Sequence, residues 1–537
     1  MNMNNEQAVP LRRSYSRRSF LQGAAVLGAA TAGLGLVGCA QTAHADGAKP
    51  DPSEFFSCDV VVCGTGTAGL CAASHAAELG ADVLVVEALT ENGLGGNSKY
   101  VEACWVPANE EVIEDTYATL VDYHKNALNT HIARRWVNEA LDIFDWTITS
   151  QGVAFAEASG LESLKATSPA VKYAEDEERG LSAGKAAIVT MYEYCVKLGV
   201  RFEFDARATE LTNSDGAVSG VICERLAGTR LQVDAGAVIL ATGGFSANKE
   251  MFERFTNLNY DHLIAYGTSG SQRGDGIAMG LALDAALHHP EAINFCSPIL
   301  PGHFNKGALT ICGVNQADTI FVNERAERFC DEHCISDWAL SGNIGAQQEH
   351  IYVVIDQDFV EKIETQGPVT KRTNYFKANE PVPDFGKEIE EALTRENPRV
   401  VKGSTIEDVA EQLGLDPQAL KHTVDTWNGY VETGVDKDFQ KKAEFMRAVH
   451  TPPFYGFKTV LAWYNNVGGL KVDEYTRVIG KNFKPIPGLY ATGSDAGGLF
   501  GGCYDVSCAP GSTQMWGRAS GYWAAEHAVE EYLPELG

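Results

Sequence analysis

The stretch Cys58 to Glu87, CDVVVCGTGTAGLCAASHAAELGADVLVVE, decides the fold. Asp59-Val60-Val61-Val62-Cys63 is a run of β-formers long enough for a buried parallel strand. Gly64, Gly66 and Gly69 follow at GxGxxG spacing. An Ala-rich amphipathic helix then runs to about Leu79, and a second strand, Asp82 to Val86, ends on Glu87. Strand, glycine turn and helix in this order make a dinucleotide cradle. Gly64 permits the tight turn, Gly66 admits a pyrophosphate to the backbone, and Gly69 lets helix and strand pack closely. The helix start at Thr67-Ala68 offers unpaired N–H groups and the positive end of the helix dipole to phosphates. Glu87 stands where a carboxylate accepts from both ribose hydroxyls. The pattern predicts an α/β fold with a Rossmann-like domain, and by itself leaves open which dinucleotide is bound.

The chain has 537 residues and 45% hydrophobic content, enough for a large core and a second domain. Its 71 acids against 43 bases leave a net charge of −28, which excludes nucleic acid as a partner, since phosphate binding rests on Lys and Arg. A solvated surface accounts for the acidity; docking to a basic redox partner is the other reading.

The first 39 residues read as an export address. Ser16-Arg17-Arg18-Ser19-Phe20-Leu21 is a twin-arginine signal. The apolar stretch from Leu21 to Val37 is too glycine-rich for a comfortable membrane span. Leu36-Val37-Gly38-Cys39 resembles a lipobox, whose cleavage would leave Cys39 as a lipidated N-terminus; a plain signal peptide with an incidental cysteine is the alternative. Residues 40–57 read as a tether. The predicted location is the outer face of the cytoplasmic membrane or the periplasm. Twin-arginine export carries folded proteins and so suits a cofactor inserted before export. Thirteen cysteines without a CxxC pair indicate neither a zinc site nor a thioredoxin-like motif.

Further along, Gly93-Leu94-Gly95-Gly96-Asn97-Ser98-Lys99 is a second glycine loop. Helical spacing covers 110–150 and Lys185 to Leu198, residues 155–182 read as loop, and Arg201 to Leu240 as hairpins. The last strand runs into Ala241-Thr242-Gly243-Gly244-Phe245, and Gly274-Asp275-Gly276 opens another helix.

Taken in order, GTGTAG, GLGGNS, VILATGGF, RGDG and IPGLYATGSDAGGLFGG span residues 58 to 524. Together they resemble the FAD-dependent fumarate reductase and 3-ketosteroid dehydrogenase superfamily of flavoproteins, in a haem-free form. Within it the chain is similar to the exported gut-bacterial reductases of cardiac glycosides and cinnamates. The resemblance implies FAD as cofactor and a discontinuous FAD-binding domain, 58–291 and 463–537, with an inserted α+β cap over 292–462. It carries FAD-binding roles to Gly64, Gly66, Thr67, Ala68, Gly69, Glu87, Gly95, Gly96, Asn97, Ser98, Thr242, Gly243, Gly244, Asp275, Gly493, Asp495 and Ser512. The helix beginning near Gly511 would face the flavin pyrimidine.

The departures from that family carry the substrate reading. Where fumarate reductases hold carboxylates with two His and an Arg and deliver a proton from a cap Arg, this chain places Cys296, Asn465, Tyr504 and Ser336. Burying two carboxylates without paired cations costs several kcal/mol each, so a dicarboxylate is excluded. Tyr504 matches the tyrosine with which the ketosteroid branch polarises a carbonyl, and a phenol serves as acid for an enolate; an aromatic ring packing on FAD without touching the substrate is its other reading. Ser336, Tyr464 and His333 are further candidates for catalysis, and Cys296 and Asn465 for substrate binding. Cys296, Cys330, Cys334, Cys503 and Cys508 map near the family's substrate site, as iron–sulfur ligands or as small buried hydrophobes.

The expected activity is flavin-dependent reduction of a C=C conjugated to a carbonyl or lactone in a small neutral, steroid-like or aromatic substrate. Electrons would come from a separate membrane-associated cytochrome, because the chain has no CxxCH haem motif. Two alternatives stand beside it: a ketosteroid dehydrogenase running oxidatively, and a non-catalytic flavin-binding lipoprotein.

Overall fold

Val60, Val61 and Val62 are fully buried, as a strand with parallel neighbours on both edges and helices on its faces must be. The structure is a computed structural model that describes residues 50–156, 168, 170–302, 307–370, 376–395, 399–504 and 506–536. The twin-arginine segment, Cys39 and residues 40–49 lie outside the described residues. From Asp51 onward the chain forms one compact unit.

β1 (Glu54–Cys63), α1 (Thr67–Glu78) and β2 (Val83–Val86) are the unit expected from the opening stretch. β1 pairs in parallel with β2 on one side and with Arg230–Leu240 on the other, in register Val62↔Val85 and Val62↔Ile239. The sheet continues outward to Arg201–Glu203 beyond β2, and to Pro485–Ala491 and Arg477–Ile479 beyond the central strands. With the hairpin Arg207–Ser214 and Ala217–Glu224 it counts eight strands. Strands far apart in sequence thus lie side by side, so the sheet is completed only when the C-terminal segment returns. The last long helix, Ser512–His527, packs on α1. Gly69 is obligatory here: a Cβ on it would stand 1.9 Å from the carbonyl oxygen of Gly64.

The middle of the chain folds around a second, antiparallel sheet in the order Ile320–Val322, Tyr352–Asp356, Phe454–Lys458, Val400–Gly403. Its strands obey the two-residue period of a sheet buried on both faces. Val353 and Ile355 enter one apolar cluster with Phe359, Phe385 and Phe457, while Tyr352 and Val354 enter another with Val409, Leu420 and Trp427. This is an α/β fold in which an α+β cap is inserted into a discontinuous Rossmann-like domain. The chain passes between the two along Ile293–Ile299 and Val460–Asn466, which pair antiparallel, while Leu263–Ala265 adds a parallel edge. Residues 155–182, read as loop, contain one short strand: Ala170–Lys172 pairs antiparallel with Ala103–Trp105. No described helix is long and apolar enough to cross a membrane.

Candidate active site

One cavity of about 910 Å³ opens between these layers. Its first half is lined by the glycine loops: Gly64, Gly66, Thr67 and Ala68 at the start of α1, Gly95 to Ser98, and Thr242-Gly243, with Glu87, Asp275 and Gly493. Gly66 and Gly511 stand at the N-termini of α1 and Ser512–His527 without a capping side chain of their own. The Thr67 N–H donates to the Ser98 hydroxyl at 3.1 Å and the Gly511 N–H to Tyr504, while the positive end of each helix dipole is offered to a ligand. Glu87 is held by its surroundings: Thr65 donates to Oε2 from its backbone N–H at 2.9 Å and its hydroxyl at 2.6 Å, and the Leu89 N–H donates to Oε1 at 2.9 Å. Oε2 is thereby saturated, while Oε1, with one donor, keeps lone-pair capacity for a ribose hydroxyl. Asp275 pairs with Arg207.

Four residues read as cofactor contacts stand behind this wall instead of lining it. Gly69 packs against Gly64, and Gly244 against Asn466, whose Oδ1 would be 2.0 Å from a Cβ there. Ser512 is fully buried. Asp495 is also fully buried and accepts from the Gly244 N–H at 3.0 Å, the Thr242 hydroxyl and the Thr242 N–H, so it shapes the Thr242–Gly244 loop. Burial lifts its carboxyl to about 6 even though these donors pull it down. A cradle of glycine backbones, two helix N-termini and a placed carboxylate fits a dinucleotide such as FAD.

The second half of the cavity faces the cap. Cys296, Asn465, Tyr464, Ser336 and Tyr504 all line it, so residues spread over more than two hundred positions of sequence converge. Tyr464 lies 3.8 Å from the Cys296 sulfur, and Asn465 donates to the Ser494 hydroxyl at 2.8 Å while accepting from Asn294 at 3.3 Å. The Tyr504 oxygen accepts the Gly511 N–H at 2.8 Å, at the N-terminus of the last long helix. An oxygen that accepts from a helix N-terminus is a better proton donor through its own O–H. His333 is outside this group: its ring stacks on Phe445, 4.6 Å between centroids, and does not line the cavity.

Sequence reading missed several lining residues. Tyr266 meets Tyr464 edge-on at 5.6 Å. Asn315, 2% exposed, has an Oδ1 without a hydrogen-bond partner. Lys172 is the single Lys or Arg among the described lining residues, and no His lines the cavity. It faces Ala103 across the short strand pair, and Ala103 in turn touches the turn at Gly511.

The thiols do not make one ligand set. Cys296 packs with Ile299, Val460 and Ala462; Cys330 belongs to the cap core around Phe321; Cys508 belongs to the core of the nucleotide-binding layer. Only Cys296 of the five lines the cavity. Residues scattered over three apolar clusters do not fit a single iron–sulfur cage, and buried small hydrophobes describe them better.

The chain belongs to the family described as an FAD binding domain, whose model matches residues 59–508. A twin-arginine translocation pathway signal matches residues 14–35. The chain is 30% identical over 490 residues to the vinyl phenol reductase of Lactiplantibacillus plantarum, covering 88% of this chain and 97% of that one. It is 26% identical to the digoxin reductase of Eggerthella lenta, covering 90% of each. Among solved structures, the 3-ketosteroid-Δ4-(5α)-dehydrogenase of Rhodococcus jostii RHA1 in complex with 4-androstene-3,17-dione superposes with a TM-score of 0.66 at 24% identity, covering 88% of this chain and 98% of that one. That likeness carries the fold. The chain is an exported FAD-dependent oxidoreductase.

Proposed function

We propose that this enzyme reduces a C=C bond conjugated to an aromatic ring or carbonyl in a small, uncharged substrate, and that the substrate lies in the cap-facing half of the cavity. The observation that carries this is the lining: neutral hydroxyls, carboxamides and a thiol, with Lys172 alone as cation among the described residues. A dicarboxylate needs at least two paired cations to leave water. The names of the relatives, a vinyl phenol reductase and a digoxin reductase, support the same class of acceptor.

Bound FAD supplies a hydride from its N5. The loops at Gly64–Ala68, Gly95–Ser98 and Thr242–Gly243 hold its phosphates and ring, with Glu87 on the ribose. Tyr504 donates its phenolic proton to the carbon or oxygen that gathers charge, and the Gly511 N–H stabilises the oxygen left behind. Tyr464 and Ser336 orient the polar end of the substrate, with Cys296 and Asn465 forming the wall beside them. The Asn315 Oδ1 accepts from a hydroxyl on the cap side, since a buried carboxamide oxygen without a donor is costly until a ligand supplies one. The tyrosine pair Tyr266–Tyr464 suits a planar ring.

A separate cytochrome of basic surface delivers electrons, Cys39 carries a lipid anchor, and the cap comprises residues 292–462. FAD is the only redox group of this reading. Anaerobic oxidation of dithionite-reduced viologen by the holoenzyme tests it, with hydroxystyrenes, cinnamates, enones, unsaturated lactones and fumarate as acceptors. Turnover on a neutral conjugated acceptor with none on fumarate is expected. Fumarate turnover at a comparable rate, or silence across the panel with FAD bound, overturns the reading. Stoichiometric iron in anaerobically purified protein would overturn the flavin-only part.

A further inference from the structure

The cap holds a pair of thiols that the proposed reaction does not use. The sulfurs of Cys330 and Cys334 lie 3.9 Å apart. Cys330 is 8% exposed, whereas Cys334 is half-buried and within reach of a reagent. Between them Glu332 is fully buried and accepts from Arg328 at 2.9 Å and Lys441 at 3.1 Å, which pins the segment at its middle. The neighbouring Cys334 and burial hold the Cys330 thiol well above its ordinary range, so the more exposed Cys334 is the one placed to react first.

The same segment reaches the active site. Glu332–Ser336 is a short 3-10 helix, and Ser336 at its end lines the cavity. The next residue, Asp337, accepts from the Tyr123 hydroxyl at 2.8 Å, and that hydroxyl also stands 3.2 Å from the carbonyl oxygen of Tyr504. Burial and Asp337 keep Tyr123 a phenol, so the contact persists as a donor. A thiol pair is therefore tied through one short stretch of backbone to two residues of the cavity wall.

We propose that Cys330 and Cys334 form a reversible disulfide, made by exchange with a disulfide-bearing oxidant outside the cytoplasm, and that its closure retunes the cavity through Ser336 and the Asp337–Tyr123–Tyr504 contact. The Cys334 sulfur attacks the oxidant's S–S bond, giving a mixed disulfide and one thiol. The Cys330 sulfur then attacks the Cys334 sulfur and releases the second thiol. Two thiols of the protein lose two electrons and two protons, and the oxidant's disulfide gains both. Bond formation requires the sulfurs to close to about 2.05 Å. Because Glu332 is anchored by two cations, the movement falls on residues 333–336. An export route that ends outside the cytoplasm supplies the setting in which such bonds persist.

The test uses the holoenzyme after equilibration with glutathione disulfide or with dithiothreitol, followed by alkylation and mass mapping of the segment holding both cysteines. Expected is protection of both thiols after oxidation, with viologen-coupled turnover changed on the order of tenfold to a hundredfold and restored by dithiothreitol. Cys334→Ser and Cys330→Ala should keep FAD and the reduced enzyme's rate while losing the response to oxidant. Thiols that remain alkylatable after oxidation, or a formed crosslink with unchanged kcat and KM, overturn the proposal. Alkylation and the rate of flavin reduction by viologen need no substrate, so they report even where the alkene reading fails.

Discussion

At the scale of single residues, Tyr504 and Asp495 show how surroundings change what a side chain can do. Tyr504 accepts from a helix N-terminus and lines the cavity, so it is poised to give up its proton. Tyr504→Phe should lower kcat by about a hundredfold or more while FAD content and fold are kept, as stopped-flow reoxidation and flavin absorbance will show; an unchanged rate removes Tyr504 from the mechanism. Asp495 carries the opposite burden. Its carboxyl sits at about 6 because it is buried, against 3.8 ordinarily. Between those values the unfolded chain has lost this proton and the folded one has kept it, so stability falls as pH rises through that window and is level above it. The single-site effect is on the order of 3 kcal/mol. Asp495→Asn should flatten this part of the stability–pH curve between about pH 4 and 6.5 in denaturant titrations of the holoenzyme. These assignments were only partly legible beforehand. Asp495 belongs to a family motif, but no pattern in sequence says whether a motif acid touches the cofactor or braces the loop that does. Lys172, Asn315 and Tyr266 carry no motif and reach the cavity by tertiary packing alone.

At the scale of elements, what could be read ahead of the structure was whatever local physics settles. α1 and β2 appeared where the glycine spacing, alanine-rich helix and second valine run required them, within a residue or two. β1 instead begins at Glu54, five residues before the run at Asp59 and inside the stretch read as a tether, because Glu54–Cys58 pair with Leu231–Ala235. The strand Ala170–Lys172 was hidden because three residues carry no measurable alternation, and only its pairing with Ala103–Trp105 makes it a strand. Gly69 gives the sharpest element-scale test. A methyl group there would collide with a backbone oxygen that cannot rotate away, so Gly69→Ala must push α1 off the sheet. Loss of at least about 3 kcal/mol, the upper end for overpacking, with weakened FAD retention, is expected by thermal melting and flavin fluorescence. The cap has its own fulcrum. Glu332 is buried, and although burial alone would raise its carboxyl, Lys441 and Arg328 outweigh that and hold it lowered. Glu332→Gln leaves the buried Lys441 ammonium without its carboxylate and Arg328 with Asp436 alone, and should cost about 3–5 kcal/mol in cap stability. Local proteolysis of the cap that outpaces the nucleotide-binding layer would identify the element affected.

At the scale of the whole molecule, charge and export bear on how electrons arrive. The chain is exported and carries a net charge of −28, to which its basic signal segment contributes positive charge, so the remainder of the chain is more acidic still. Two of the acids lining the cavity have local partners: Glu87 is held by Thr65 and Leu89, and Asp275 by Arg207. The excess acid lies on the outside, where a uniform sign costs some self-repulsion and steers oppositely charged partners. If a basic cytochrome feeds the flavin, long-range attraction should dominate the encounter. The Debye length falls from about 30 Å at 0.01 M ionic strength to about 8 Å at 0.15 M. Flavin reduction by a reduced basic cytochrome should accordingly slow by an order of magnitude or more across that range, while reduction by a small neutral donor should stay level. An acidic cytochrome should show the reverse slope. Equal rates for all three donors at every ionic strength would leave the acidity as a property of solubility alone and remove the surface from the electron-transfer reading.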